Sequence, residues 1–104
     1  MINYNKQYID NSDIKAVSKV LKSDFLTTGP ECKNFEKKLA KYLESKYAIT
    51  CSNGTDALLL ALMALDIQPG DEIITTPFTF ISTAETISSM KAKPIFVDIE
   101  ADTF

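Results

Sequence analysis

The run Ser52-Asn53-Gly54-Thr55 is the part of the chain whose residue types and position best suit chemistry, because it lies between a strand pattern and a helix pattern. The first backbone N–H groups of a helix have no intrahelical acceptor, and the helix dipole places partial positive charge beside them. Gly54 would let a ligand approach the backbone closely, and the Thr55 hydroxyl would add a donor, an arrangement suited to phosphate. The same residue types also cap helices with no ligand involved, so the local pattern leaves both readings open. No Lys follows Gly54 as in a nucleotide-binding phosphate loop, and the other glycines of a dinucleotide fingerprint are absent.

Composition narrows the remaining chemistry. The 104 residues contain no histidine, which excludes Ser-His-Asp and Cys-His catalysis within them. Cys32 and Cys51 are the only cysteines and lack metal-site spacing, so neither a zinc site nor a disulfide framework is expected, and no metal ligand is predicted. Fourteen acidic residues against eleven basic ones leave a net charge of -3, which argues against nucleic acid and anionic membrane as partners. No apolar run approaches the roughly 20 residues needed to span a bilayer. The opening residues Met1-Ile2-Asn3-Tyr4-Asn5-Lys6 lack the apolar stretch of a signal peptide. A cytoplasmic protein is the expectation.

The elements that would position these residues can be read from periodicity. Ile14, Val17 and Leu21 predict a helix over residues 13–23, capped by Asn11 or Ser12. Residues 24–30 read as a loop around Gly29, and Pro30 opens a second helix reaching residue 44, with Lys33, Lys37, Lys38 and Lys41 on a solvated face. Residues 47–51 read as a strand. An apolar helix follows over residues 56–65, apolar on more than one stripe and expected to be buried. Pro69-Gly70-Asp71 marks a turn, residues 72–76 a second strand, residues 82–90 a helix and residues 95–98 a third strand. Alternating strands and helices with short links predict an α/β fold with a mostly parallel sheet and flanking helices. The pattern stops where such a sheet would continue, so the chain reads as the opening of a larger domain.

Several runs occur together in a recognisable order. Ser52-Asn53-Gly54-Thr55-Asp56-Ala57-Leu58, Ala61-Leu62 and Pro69-Gly70-Asp71-Glu72-Ile73-Ile74 are followed by Thr76-Pro77-Phe78-Thr79-Phe80, Ser82-Thr83 and Lys93-Pro94-Ile95-Phe96-Val97-Asp98-Ile99. With Leu26-Thr27-Thr28-Gly29-Pro30 and Phe35-Glu36 upstream, this series resembles the DegT/StrS family of pyridoxal-phosphate-dependent nucleotide-sugar aminotransferases across nearly the whole chain.

The resemblance implies the N-terminal part of the large domain of a type I, aspartate-aminotransferase-like enzyme. Residues 1–30 would form the first helix and a substrate-side loop, and residues 31–104 the start of the sheet. It implies that Asn53, Gly54 and Thr55 hold the phosphate of pyridoxal 5'-phosphate and that Phe80 stacks on its ring. A core aromatic is the plainer reading of Phe80. Thr28 and Gly29 would lie beside the sugar substrate, although Thr-Gly-Pro is also an ordinary turn before a helix. Neither Lys91 nor Lys93 matches the Schiff-base lysine, Asp98 and Asp102 read as turn residues, and no catalytic residue is assigned within the chain. The parent would transfer an amino group, with glutamate the expected donor, to a nucleotide-linked keto-deoxy sugar for polysaccharide or glycan biosynthesis, as a homo-oligomer. These residues alone would be inactive. A sugar dehydratase on the same scaffold, with histidine for the lysine, and a non-catalytic folding or dimerisation module are the alternatives.

Overall fold

The structure is a computed structural model that describes residues 5–104; residues 1–4, on which much of the signal-peptide argument falls, lie outside the described residues. The chain divides into two compact units, Met1–Ile49 and Thr50–Phe104.

The first unit carries helix α1, Asn11–Leu21, and helix α2, Pro30–Tyr42. The cap of α1 is Asp10, where Asn11 or Ser12 was expected. Ser12 N–H (2.7 Å) and Asp13 N–H (3.2 Å) both donate to Asp10 Oδ1, and Asp10 N–H donates back to Asp13 Oδ2 at 3.0 Å. This reciprocal capping box starts the helix two residues before the expected position. The Ser12 hydroxyl first, then the Asp13 and Ser12 N–H groups, hold the Asp10 carboxyl below its ordinary pKa by stabilising its charged form. At the other end Ser23 Oγ donates to Val20 O at 2.7 Å, so residues 22 and 23 leave the helix that was expected to include them. In α2, Pro30 occupies the first turn, as expected, with Gly29 as the cap residue.

Helix α2 ends before residue 44 because of a specific hydrogen-bonded turn. Glu44 takes a left-handed conformation (φ 51°), its N–H donates to Lys41 O (3.3 Å), and Ser45 N–H donates to Ala40 O (2.9 Å). The same Schellman geometry closes two helices of the second unit. Helix α3, Gly54–Ala64, ends with Asp66 at φ 56°, and helix α4, Ser82–Ser89, ends with Lys91 at φ 59°. In both, the following N–H groups return to carbonyls of the last turn: Asp66 to Met63, Ile67 to Leu62, Lys91 to Ser88 and Ala92 to Ile87.

Strand β1, Glu72–Thr75, and strand β2, Lys93–Phe96, pair in parallel, with Glu72 opposite Lys93 and Thr75 opposite Phe96. Helix α4 connects them and packs on both, while α3 packs on α4. The turn into β1 is built on Gly70 (φ 94°), with Asp71 N–H donating to Gln68 O at 3.1 Å; Pro69 and Gly70 fit the central positions of a type II turn.

The core lies along α4. Ile87 is 3% exposed, and Ala92, Ser82 and Thr86 are also buried. Thr86 stays satisfied there because its hydroxyl donates to Ser82 O at 2.9 Å.

The structure corrects three further expectations. Residues 47–51 form no strand; among the described residues the only ladder is β1 with β2, so the alternating pattern there has no neighbouring strand to complete it. The strand expected at residues 95–98 begins instead at Lys93, because pairing with Glu72 sets its register. Helix α3 buries no residue: α4 covers one side, and Leu58, Leu60, Met63 and Leu65 remain exposed.

Candidate functional site

The start of α3 carries the candidate site in the second unit. Asn53 caps the helix by accepting Asp56 N–H on Oδ1 at 2.9 Å, and Ala57 N–H donates to Asn53 O at 3.1 Å. The Asp56 carboxylate draws the preceding side chains together. Its Oδ2 accepts the Ser52 hydroxyl at 2.5 Å and the Asn53 Nδ2 at 3.0 Å. Cys51 Sγ donates to Asn53 O at 3.2 Å. The loop is therefore tied to the helix by side chains on both sides of the cap.

This arrangement divides the donors. The side chains of Ser52 and Asn53 are committed to Asp56, whereas Gly54 N–H, Thr55 N–H and the Thr55 hydroxyl have no acceptor within the chain among the described residues. Those three groups sit at the positive end of the helix dipole and can receive an anion. A Cβ built on Gly54 meets nothing within 4 Å, and its φ lies outside the left-handed region. Neither backbone conformation nor internal packing requires glycine there. What a glycine leaves at this position is open space beside two unpaired amides, which fits a ligand phosphate.

Phe80 lies just before α4, in the segment after β1; its carbonyl accepts Thr83 N–H at 3.1 Å. Its side chain is no core aromatic in this structure, since the residue is 74% exposed. Nearby, Phe78 packs on Phe104 with ring centroids 6.0 Å apart, and Thr79 Oγ1 pairs with Thr83 Oγ1 at 3.0 Å. Phe80 thus presents a flat apolar surface from the same unit as Gly54 and Thr55.

Thr28 and Gly29 belong to the first unit. Their turn is tightly constrained. Thr28 has φ 50°, a conformation a β-branched residue rarely adopts. A Cβ on Gly29 would stand 2.9 Å from Phe25 Cβ and 3.1 Å from Phe25 O, so the loop excludes any larger residue unless it shifts.

Three further charged residues have places in the local structure. Lys93 Nζ pairs with Glu72 Oε1 at 2.9 Å across the strands, Lys91 ends α4, and Asp98 Oδ1 accepts Ile99 N–H at 2.9 Å. Among the described residues no group of three or more His, Cys, Asp or Glu could hold a metal ion. Sequence reasoning missed the organising role of Asp56. Its signal was its place three residues after Asn53, where an acidic side chain can fold back on the cap.

The profile of the DegT/DnrJ/EryC1/StrS aminotransferase family matches residues 7–104. A Pseudomonas aeruginosa protein named UDP-2-acetamido-2-deoxy-3-oxo-D-glucuronate aminotransferase is 46% identical over 88 residues, 85% of this chain and 24% of that protein. A Shewanella sediminis protein named UDP-4-amino-4-deoxy-L-arabinose--oxoglutarate aminotransferase is 42% identical over 94 residues, 90% of this chain and 24% of that one. The PLP form of a Streptococcus pneumoniae protein, assigned by name as a sugar aminotransferase, superposes with a TM-score of 0.91 at 34% identity, covering 98% of this chain and 26% of that one. The chain spans about a quarter of the length of these relatives.

Proposed function

The chain belongs to the DegT/DnrJ/EryC1/StrS aminotransferase family, and from that premise we propose that it forms the phosphate-gripping part of a pyridoxal-phosphate-dependent nucleotide-sugar aminotransferase. The observation that carries the reading is the pair of unpaired amides at Gly54 and Thr55, with the Thr55 hydroxyl beside them and open space where a Gly54 side chain would stand. When bound, pyridoxal phosphate supplies the electron-withdrawing ring through which an amino group is taken from a donor and given to a keto sugar.

The chain's own contribution is binding and orientation. Gly54 N–H, Thr55 N–H and Thr55 Oγ1 hold the phosphate. Asn53 shapes the cradle from behind, as the helix cap, and Phe80 offers a face for the ring. Thr28 and Gly29 form the constrained turn assigned to the sugar side. In this reading residues 1–104 are the start of the cofactor-binding large domain. The donor is glutamate, the acceptor a nucleotide-linked keto-deoxy sugar destined for polysaccharide, the assembly a homo-oligomer and the compartment the cytoplasm. Among the described residues no helix is long and apolar enough to cross a membrane.

Titration of the purified protein with pyridoxal phosphate and with inorganic phosphate, followed by amide NMR, tests the reading. Saturable shifts should centre on the Gly54 and Thr55 amides, with Phe80 ring signals moving only for the pyridoxal compound. An unmoved α3 start at millimolar ligand would sink the cradle assignment. In this reading these residues alone do not transaminate, because neither Lys91 nor Lys93 matches the Schiff-base lysine that the resemblance implies; measurable turnover would overturn that part.

A further inference from the structure

Thr28 stands apart among the residues with positive φ. Glu44, Asp66 and Lys91 each close a helix, where hydrogen bonds back to the last turn offset the reversed backbone, and Phe104 is the last residue. Thr28 (φ 50°) closes no helix and makes no hydrogen bond among the described residues, so nothing local offsets its left-handed backbone. Its branched Cβ makes that conformation costlier than it is for the other three. The neighbouring glycine does not take over the reversal. Gly29 precedes Pro30, whose ring steers the residue before it to extended backbone, and Gly29 has φ -78° and ψ -179°. Its lack of a side chain serves another end, since a Cβ there would stand 2.9 Å from Phe25 Cβ.

Strain of this kind persists only while its surroundings hold it. Here the hold is the packing of Phe25 on Gly29 and a 3.2 Å hydrogen bond from Ser23 Oγ to Phe25 O. Beside the turn there is room to relax into. A cavity of about 250 Å³ lies between the end of α1 and the start of α2, and Ala16, Val20, Phe25 and Pro30 give it a mostly apolar lining. Phe25 is nevertheless 62% exposed, so most of its surface stays outside. An apolar cavity of about 150 Å³ can hold a benzene ring, so this one is large enough for the Phe25 side chain.

We propose that residues 25–29 form a two-state strap. In the open state, the one described above, Thr28 is left-handed and Phe25 is exposed. In the closed state Thr28 relaxes to extended backbone, and the segment turns against Gly29 to carry the Phe25 ring into the cavity. Closing relieves the strain at Thr28 and buries the ring. It gives up the Ser23 hydrogen bond and the packing of Phe25 on Gly29, so the two states stay close in energy. The inference concerns the first unit alone and does not rest on the cofactor reading.

Relaxation-dispersion NMR of the purified protein tests the strap, because it reads motion on the microsecond-to-millisecond scale. The amides of residues 25–29 should exchange together, with a closed population of about 1–10%. Thr28→Gly takes left-handed backbone at no steric cost and should cut the closed population about tenfold. Thr28→Val keeps the branched Cβ without the hydroxyl and should leave that population within about threefold. Ala16→Leu fills the cavity from α1 and should quench the exchange although the turn itself is untouched. No exchange at residues 25–29 would refute the strap, and that result needs no variant. Exchange that survives undiminished in Thr28→Gly or in Ala16→Leu would also refute it. So would its loss in Thr28→Val, which would assign the motion to the hydroxyl and not to the backbone.

Discussion

Gly54→Ala separates what the chain needs from what a ligand needs. A Cβ at residue 54 meets nothing within 4 Å, and the residue's φ is one that any L residue adopts. Alanine also loses less backbone entropy on folding than glycine, an advantage of about 0.5 kcal/mol in the first turn of a helix, toward the low end of the usual range. For a domain of this size that corresponds to a rise in Tm of about 2–4 °C. Phosphate binding should respond in the opposite direction, because the new methyl takes up space beside the amides that the anion would use. An affinity loss of at least about tenfold, or about 1.4 kcal/mol, is expected for both pyridoxal phosphate and inorganic phosphate. Thermal melts by circular dichroism and ligand titrations followed at the Thr55 amide read the two effects. If the variant melts lower than the parent, packing within the chain explains the glycine. If it binds phosphate as well as the parent does, Gly54 is not the point of approach, and the cradle argument fails with it.

Four further outcomes follow from the same structure. Ile87→Ala, at the centre of the α4 core, should destabilise the second unit by about 2–4 kcal/mol, read as a lower Tm; a change below about 1 kcal/mol would show that α4 is not its core. Glu44→Gly should stabilise α2 by about 1 kcal/mol, since a left-handed residue with a side chain closes that helix; a lower melting point would mean that the Glu44 side chain matters more than its φ. The pKa of Asp10 is lowered in the fold, so its capping contribution is present above the ordinary carboxylate range and is lost as pH falls through the lowered value; α1 amides should lose helical shifts on acidification, and Asp10→Asn should remove that transition while keeping the helix capped. Finally, Leu58, Leu60 and Met63 of α3, with Leu65 just after it, stay exposed, a cluster of large apolar residues that favours association with another surface. The protein should therefore self-associate through apolar faces such as that of α3, and a monomeric mass by light scattering at 100 µM would refute this.

Some elements were legible because one local cause decided them. Pro30 suits the first turn of a helix, Pro69-Gly70 suits one turn type, and the apolar spacing of Ile14, Val17 and Leu21 suits one helix face. The misplaced features depended on partners. Asp10 caps α1 by accepting the Ser12 and Asp13 N–H groups, and Asp13 reaches back to its N–H, an Asp-to-Asp pairing that lies one residue before the expected Asn11. Glu44, Asp66 and Lys91 terminate helices without the glycine that would have marked those ends. The start of β2 at Lys93 comes from register with β1, and residues 47–51 alternate like a strand without a strand beside them. Propensity is local, but a ladder is a relation between two segments.

The candidate site divides in the same way. Gly54 and Thr55 could be singled out from position alone, because the first amides of any helix lack internal acceptors. Asp56 could not, although it determines what those amides face. Its carboxylate takes the Ser52 hydroxyl and the Asn53 amide nitrogen, two donors that could otherwise have turned toward a phosphate. It also places a negative charge in the first turn, where a bound phosphate would be repelled. An anion at this helix start therefore meets only three free donors, two backbone and one hydroxyl, and an opposing charge close by. Tight phosphate binding then requires further donors or cations from other elements to outweigh Asp56. Asp56→Asn gives the check: it should strengthen inorganic phosphate binding several-fold by removing the charge while keeping a side chain able to hold Ser52. Unchanged affinity would mean that Asp56 is screened from the anion, and weaker binding would mean that its hold on the loop matters more than its charge.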